Sequence, residues 1–262
     1  MAAAKVTISD LSVVFPPHED GEEPVRAVDA LSLDVAENEF VCIVGPSGCG
    51  KSTVLKVLAG LVPPTAGGFE IAPDPEAALP VAMVWQGDAL IPWRTILDNV
   101  AMPLELRGVS KRERHERARE HLDRLALTQF ARAYPHQLSG GMRQRAGIAR
   151  ALIADASVLL MDEPFGALDA QTRLVLQEQI LDLWERERKT LVFVTHSIEE
   201  SLLLGDRVVV MSARPGRIRE IIDVPFARPR NRDVTRTQAF QDQAGEIWAL
   251  LRQDARRAEQ FA

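Results

Sequence analysis

Cysteine is nearly absent from this 262-residue chain: only Cys42 and Cys49 occur. Their spacing fits neither a metal site nor a redox pair, and two cysteines build no disulfide framework. A reducing, cytosolic setting is expected. Long apolar runs are missing as well. No uninterrupted stretch approaches the ~18 residues of a membrane span, so work at a membrane would go through a partner. The opening segment MAAAKVTISDLSVVF has one early lysine but no apolar h-region and no cleavage site, so a signal peptide is not expected. Positive charge is not in excess. The formal net charge is -6, which gives no reason to expect bulk nucleic-acid binding. There is no internal repeat and no low-complexity tail. The remaining composition, 46% hydrophobic and 26% charged, is that of an ordinary soluble globular protein. The length suits one large domain or two small ones.

Five short apolar runs recur at wide intervals: FVCIVG at 40–45, VAMVWQ at 81–86, SVLLMD at 157–162, TLVFVT at 190–195 and RVVVMS at 207–212. Each has strand length and the Val, Ile or Leu content of a buried strand. Helix-like segments lie between most of them, the pattern of a mostly parallel sheet covered by helices. Stretches 4–15 and 25–36 alternate more and are separated by the polar PPHEDGEEP, which predicts an antiparallel flank. Residues 90–138 differ again, with Pro92, Pro103, Gly108 and Pro135 as punctuation around a charged helix. Ser110 and Glu113 have capping-box spacing there. The run KRERHERARE reads either as a partner surface or as a solvated helix face. This block predicts a helical insertion. The expected division is a core with its β flank at 4–89 and 139–224, a helical subdomain at about 90–138, and a short helical extension at 225–262.

GPSGCGKST, comprising Gly45, Pro46, Ser47, Gly48, Cys49, Gly50, Lys51, Ser52 and Thr53, follows a predicted strand and opens a predicted helix. That context is what a phosphate-binding loop requires. Glycines let successive backbone N–H groups turn toward phosphate oxygens. Lys51 places a point charge on the β- and γ-phosphates, and the Ser52 hydroxyl suits Mg²⁺. SVLLMDEP is an apolar strand ending in carboxylates. Asp162 is expected to hold Mg²⁺, and Glu163 to polarise an attacking water as general base. The fold class is therefore α/β, a P-loop NTPase core with an antiparallel flank and an inserted helical subdomain. LSGGMRQR, from Leu138, is a second anion-friendly helix start, with Met142, Ala146, Ala149 and Ile153 on one stripe.

The order and spacing of GPSGCGKST, LSGGMRQR and LLMDEPFGALD resemble the ATPase subunit of an ABC transporter over roughly residues 4–224. The resemblance implies a head-to-tail pair of such subunits. In that arrangement Ser139, Gly140 and Gly141 of one copy cap the ATP held by the other copy's phosphate loop. It also implies that Gln86 contacts Mg²⁺ and the attacking water, that Asp169 communicates across the dimer, and that His196 contacts the γ-phosphate. Phe15 stands where relatives often carry Tyr and is a candidate for stacking on adenine; it reads equally as a core strand residue. Two positions depart from the pattern. Met142 replaces the common signature glutamine, and Gly166 replaces the serine of the frequent SALD. The other histidines, His18, His115, His121 and His136, receive no role.

YPHQLSGGMRQRAGIARAL, IPWRTILDNVAMPLELRGV and THSIEESLLLGDRVVVMSARPGRI resemble the nitrate, sulfonate, taurine and bicarbonate importers of bacteria, a group that includes uptake systems for pyrimidine-like vitamin precursors. The resemblance implies ATP and Mg²⁺ as cofactors and transmembrane permease subunits as partners. It further implies a second ATPase subunit, identical or different, a solute-binding protein reached through the complex, and no nucleic acid. The expected place is the cytoplasmic face of the inner membrane, as a peripheral subunit. Residues 86–105, with Trp85, Ile91 and Trp93, are expected to receive a permease helix, although plain core is the other reading. The segment after 224 either caps the dimer or packs on its own core. Rival readings are an exporter or lipid-transport ATPase and, from another class, a soluble ABC ATPase acting on nucleic acid.

Overall fold

The computed structural model describes residues 4–17, 23–87, 89–166 and 168–260; of Glu187 and residues 253–260 only the backbone is described. His18 lies outside them. The chain forms two compact units, Met1–Pro73 with Glu185–Ala262, and Asp74–Trp184.

The first unit holds two sheets. In one, β1 (Ala4–Phe15) pairs antiparallel with β2 (Val25–Ala36) and with β4 (Ala66–Ile71). Val6, Ile8, Leu11 and Val13 of β1 are buried, as are Val28, Leu31, Leu33 and Val35 of β2. The step from Ile8 to Leu11 breaks the two-residue period because the strand bulges there, with Asp10 at φ 48. Gly67, at φ 67, crosses so close that a Cβ would lie 2.2 Å from the Asp10 carbonyl oxygen. The expected flank is thus present and has a third strand. AGGFEI gives β4 two glycines and little alternation, so the sequence pattern does not announce it.

In the other sheet, β3 (Phe40–Val44) lies parallel between β7 (Thr190–Val194) and β8 (Arg207–Met211). All five residues of β3 and of β7 are buried, which is why both read as unbroken apolar runs. Phe40 and Phe193 meet with ring centroids 5.8 Å apart. β9 (Ile218–Asp223) adds antiparallel to β8. Its sequence, IREIID, is charged and mostly solvent-facing, so it too escapes an apolar-run search. Helix α1 (Lys51–Leu58) follows β3, α6 (Ile198–Leu204) packs on β3 and β8, and α7 (Gln238–Gln260) packs on α6.

A buried cation ties the segment after β9 to α6. Arg230, with its side chain 2% exposed, donates to the carbonyls of Phe226, Gly205, Leu202 and Leu203. These include carbonyls in the last turn of α6, where a cation is favoured. Burial, with Arg228 beside it, lowers the guanidinium pKa to about 10. Arg230→Met leaves those carbonyls unmet. It is expected to cost about 3 kcal/mol and to lower Tm by roughly 6–12 °C in a thermal melt. A Tm within 2 °C of the parent, about what loss of one exposed contact produces, contradicts this role.

The second unit contains the parallel pair β5 (Leu79–Val84) and β6 (Ala156–Asp162) and the helices α2 (Ile96–Leu106), α3 (Lys111–Arg124), α4 (Gly140–Leu152) and most of α5 (Ala170–Glu187). Thr95 and Ser110 cap α2 and α3 by accepting from the Asp98 and Glu113 amides. In α3 only Ala118 and Leu122 are buried. Arg114 and His115, from its charged run, pair with Glu105 and Asp98 of α2. All five predicted apolar strands are present. The run VAMVWQ, however, stops being a strand at Val84, so Trp85 and Gln86 lie in the loop beyond it. The cause is pairing: the last β5–β6 partners are Val84 and Met161.

Candidate functional site: a phosphate loop and a glutamine–glutamate pair

In the first unit, the chain leaves buried β3 at Val44 and turns sharply before entering α1 at Lys51. Two left-handed residues make the turn, Gly48 at φ 75 and Gly50 at φ 97. At Gly50 a Cβ would meet the Ala27 carbonyl oxygen at 2.6 Å, so only glycine fits. Lys51 is 5% exposed. Its Nζ donates to the carbonyls of Gly45 and Pro46, both at 2.9 Å, and lies 3.8 Å from Cys49 Sγ. The lysine therefore folds back across its own loop and holds its curvature. Pro46, Ser52 and Thr53 are partly exposed, and Ser47 and Gly48 are exposed on the outer turn. Burial pushes the thiol of Cys49, 1% exposed, above its ordinary range.

Also in the first unit, His196 is exposed in the turn between β7 and α6. That turn is braced. Thr195 Oγ1 donates to buried Glu200 at 2.6 Å and accepts from the Ser197 amide at 3.0 Å. Ser197 in turn caps α6 at the Glu200 amide. Phe15 ends β1 and is 37% exposed.

In the second unit, β6 runs buried to Asp162, which is 4% exposed. The next residue, Glu163, adopts φ 44. A left-handed glutamate is strained by about 1 kcal/mol and redirects the carboxylate as the strand ends. Gln86 Nε2 donates to Glu163 Oε2 at 3.1 Å. Two residues 77 positions apart thus meet. The loop carrying Gln86 is fastened to α4 twice. Buried Gln144 donates to the Trp85 carbonyl at 3.3 Å, and Arg150 donates to the Ala89 carbonyl at 2.8 Å. Neither Gln144 nor Arg150 is a site candidate by motif, because a contact spanning some sixty residues leaves no local pattern.

Helix α4 begins at the second glycine-containing cradle. Ser139 is its N-cap and accepts from the Met142 amide at 3.3 Å. Gly140 and Gly141 lie inside the first turn. Ser139 and Gly140 are exposed, so that end of the helix faces outward. At Gly141 a Cβ would meet Thr172 Cγ2 at 2.5 Å, so the glycine lets α4 and α5 approach. Asp169 accepts from the Thr172 amide at 3.0 Å, a bond that holds its carboxyl below the ordinary range and caps α5.

The phosphate loop and the strand-end carboxylates fall within residues 28–166, which match the family model described as "ABC transporter". That is more than half of the chain. The chain belongs to the ABC transporter family. It is the ATP-binding part, which hydrolyses ATP in support of transport. It is 48% identical over 231 residues to an uncharacterised ABC transporter ATP-binding protein of Methanocaldococcus jannaschii, covering 87% of this chain and 85% of that protein. It is 45% identical to the taurine import ATP-binding protein TauB of Rhizobium johnstonii, covering 87% and 89% of the two chains. The bicarbonate transport ATP-binding protein CmpD of a Synechocystis strain is 41% identical, with 88% and 82% covered. Among solved structures, an ATP-binding cassette described as a dimer in a post-hydrolysis state with ADP and phosphate superposes with a TM-score of 0.74 at 33% identity. That match covers 85% of this chain and all of the other.

Taken each in its own unit, the Ser52 hydroxyl of the first and the Asp162 carboxylate and Gln86 amide oxygen of the second are hard oxygens, the donor type that suits Mg²⁺. No helix of the described residues is long and apolar enough to cross a membrane.

Proposed function

We propose that this chain powers uptake of a small anionic solute, of the nitrate, sulfonate, taurine or bicarbonate type, through partner permease subunits. The observation that carries this reading is the match, over more than four fifths of the chain, to ATP-binding proteins named for taurine and bicarbonate transport. Two copies, or this chain and a second ATPase, pack head to tail at the cytoplasmic face of the membrane. A solute-binding protein delivers cargo to the complex.

Each residue then has a task. The loop from Gly45 to Thr53 wraps the phosphates, and Lys51 trades its carbonyl partners for phosphate oxygens. The open ring of Phe15 stacks on adenine. Mg²⁺, when bound by Ser52, Asp162 and Gln86, neutralises phosphate charge. Ser139, Gly140 and Gly141 cap the partner's γ-phosphate with the exposed start of α4, and Asp169 senses the partner. Glu163 takes a proton from water while that oxygen bonds to the γ-phosphorus and the bridging P–O bond to ADP breaks. His196 donates to the γ-phosphate oxygens and steadies this geometry. Helix α4, fastened to the Gln86 loop by Gln144 and Arg150, carries closure to the segment around Trp93. Trp93 is 78% exposed on a loop that Asn99 pins through bonds to Ile91, Arg94 and Thr95. Leu106 and Tyr134 are exposed in the same unit. An aromatic held open this way supports a docking role toward a permease helix.

The test is purification with the membrane subunits, followed by ATPase assays with the binding protein and each candidate anion. One anion is expected to stimulate turnover several-fold. Stimulation by none of them, or copurification with an exporter, overturns the solute class.

A further inference from the structure

The turn between β8 and β9, SARPGR at 212–217, takes no part in the chemistry above, yet it is fastened to the phosphate loop. A Cβ at Gly216 would sit 1.9 Å from the Cys49 carbonyl oxygen, so the two backbones touch. Gly216 also donates to the Ala27 carbonyl at 2.9 Å and accepts from the Asp29 amide at 3.0 Å. Next to it, Arg217 pairs with Asp29, which Arg26 holds from the other side. These bonds keep the Asp29 carboxyl, 7% exposed, below its ordinary range. The turn is therefore a fixed base behind the phosphate loop, not a loose connection.

Arg214 extends from that base. Its Nε donates to the Gly48 carbonyl at 3.1 Å, and a Cβ on Gly48 would meet its Nη2 at 3.0 Å. A loop that gathers N–H groups toward an anion must turn carbonyls away from it, and a side-chain donor on such a carbonyl holds its peptide in place. Lys51 serves the Gly45 and Pro46 carbonyls. Arg214 serves the one at Gly48, where φ is 75.

We propose that Arg214 is a positioning residue for ATP: it fixes the Gly48 peptide from outside and so sets nucleotide affinity, not the rate of bond cleavage. The inference rests on ATP binding by this chain and not on the identity of the solute. Two neutral variants test it. Gln carries its amide nitrogen at the place along the side chain where Arg carries Nε, whereas Met has similar length and no donor. Arg214→Met is expected to raise the Kd for a fluorescent ATP analogue and the KM for ATP about five-fold, the size of one solvent-exposed hydrogen bond, with kcat within about 1.5-fold. Arg214→Gln is expected to stay within about two-fold of the parent in both constants. Any general loss of the turn's structure moves the two variants together, and equal effects overturn the proposal. So does an unchanged Kd in Arg214→Met, or a fall in kcat at constant KM. If the unsubstituted chain itself fails to bind the analogue, the nucleotide reading fails first, a result distinct from the others.

Discussion

Glu163→Gln lowers ATP turnover by at least ~100-fold while leaving ATP binding within about two-fold, as read by single-turnover phosphate release and nucleotide titration. The size follows from general-base catalysis, which contributes roughly 10²–10⁴, or about 3–5 kcal/mol of barrier. An amide has the shape of the carboxylate and its oxygen can still accept from Gln86 Nε2, so the 3.1 Å contact survives. The left-handed backbone at 163 is unaffected, because the substituent beyond Cβ is isosteric. Only the ability to take a proton is lost. The expected consequence is an ATP-loaded, closed pair of subunits that does not reset. Turnover at normal speed removes Glu163 from the role of base.

Ser139→Arg is expected to abolish turnover to a similar degree, for a different reason. The serine caps α4 and is exposed, so its loss costs the fold only about 1 kcal/mol. An arginine there places a long cation at the positive end of a helix, next to Gly140, where a cap for anionic phosphate has to stay open. Binding of ATP to the same chain's own loop is expected to be unchanged. The variant thus separates binding from hydrolysis: titration shows normal affinity, and phosphate release falls at least ~100-fold. Intact hydrolysis in this variant contradicts the capping role.

The parts of this molecule legible in sequence are those whose physics is local. The runs FVCIV and TLVFV are buried on both faces, so composition alone exposes them as strands. GPSGCGKST announces its own turn because the φ values at Gly48 and Gly50 demand glycine. Ser110 and Ser139 cap helices within three residues of themselves. What sequence did not show is set by distant partners. Gln86 looks like a strand end until the β5–β6 ladder is seen to stop at Val84. Strand β4 borrows its place from β1, and β9 from β8, without an apolar pattern of their own. Arg214 and Arg230 lie in charged stretches that read as surface, yet one grips a carbonyl 166 positions away and the other is buried under the end of α6. The left-handed glutamate at 163 has no sequence signature, since its φ of 44 is set by the turn in which β6 ends and not by its own side chain.

The central claim is that hydrolysis needs two copies of the cassette, each closing the other's nucleotide. Mass by sedimentation tests it directly, using Glu163→Gln with ATP and Mg²⁺. For a pair of identical copies the expected result is a species of twice the 29.0 kDa chain with ATP, a single chain with ADP, and a single chain with ATP once Ser139→Arg is added. A parent chain that stays at 29.0 kDa throughout while hydrolysing ATP at full speed contradicts it.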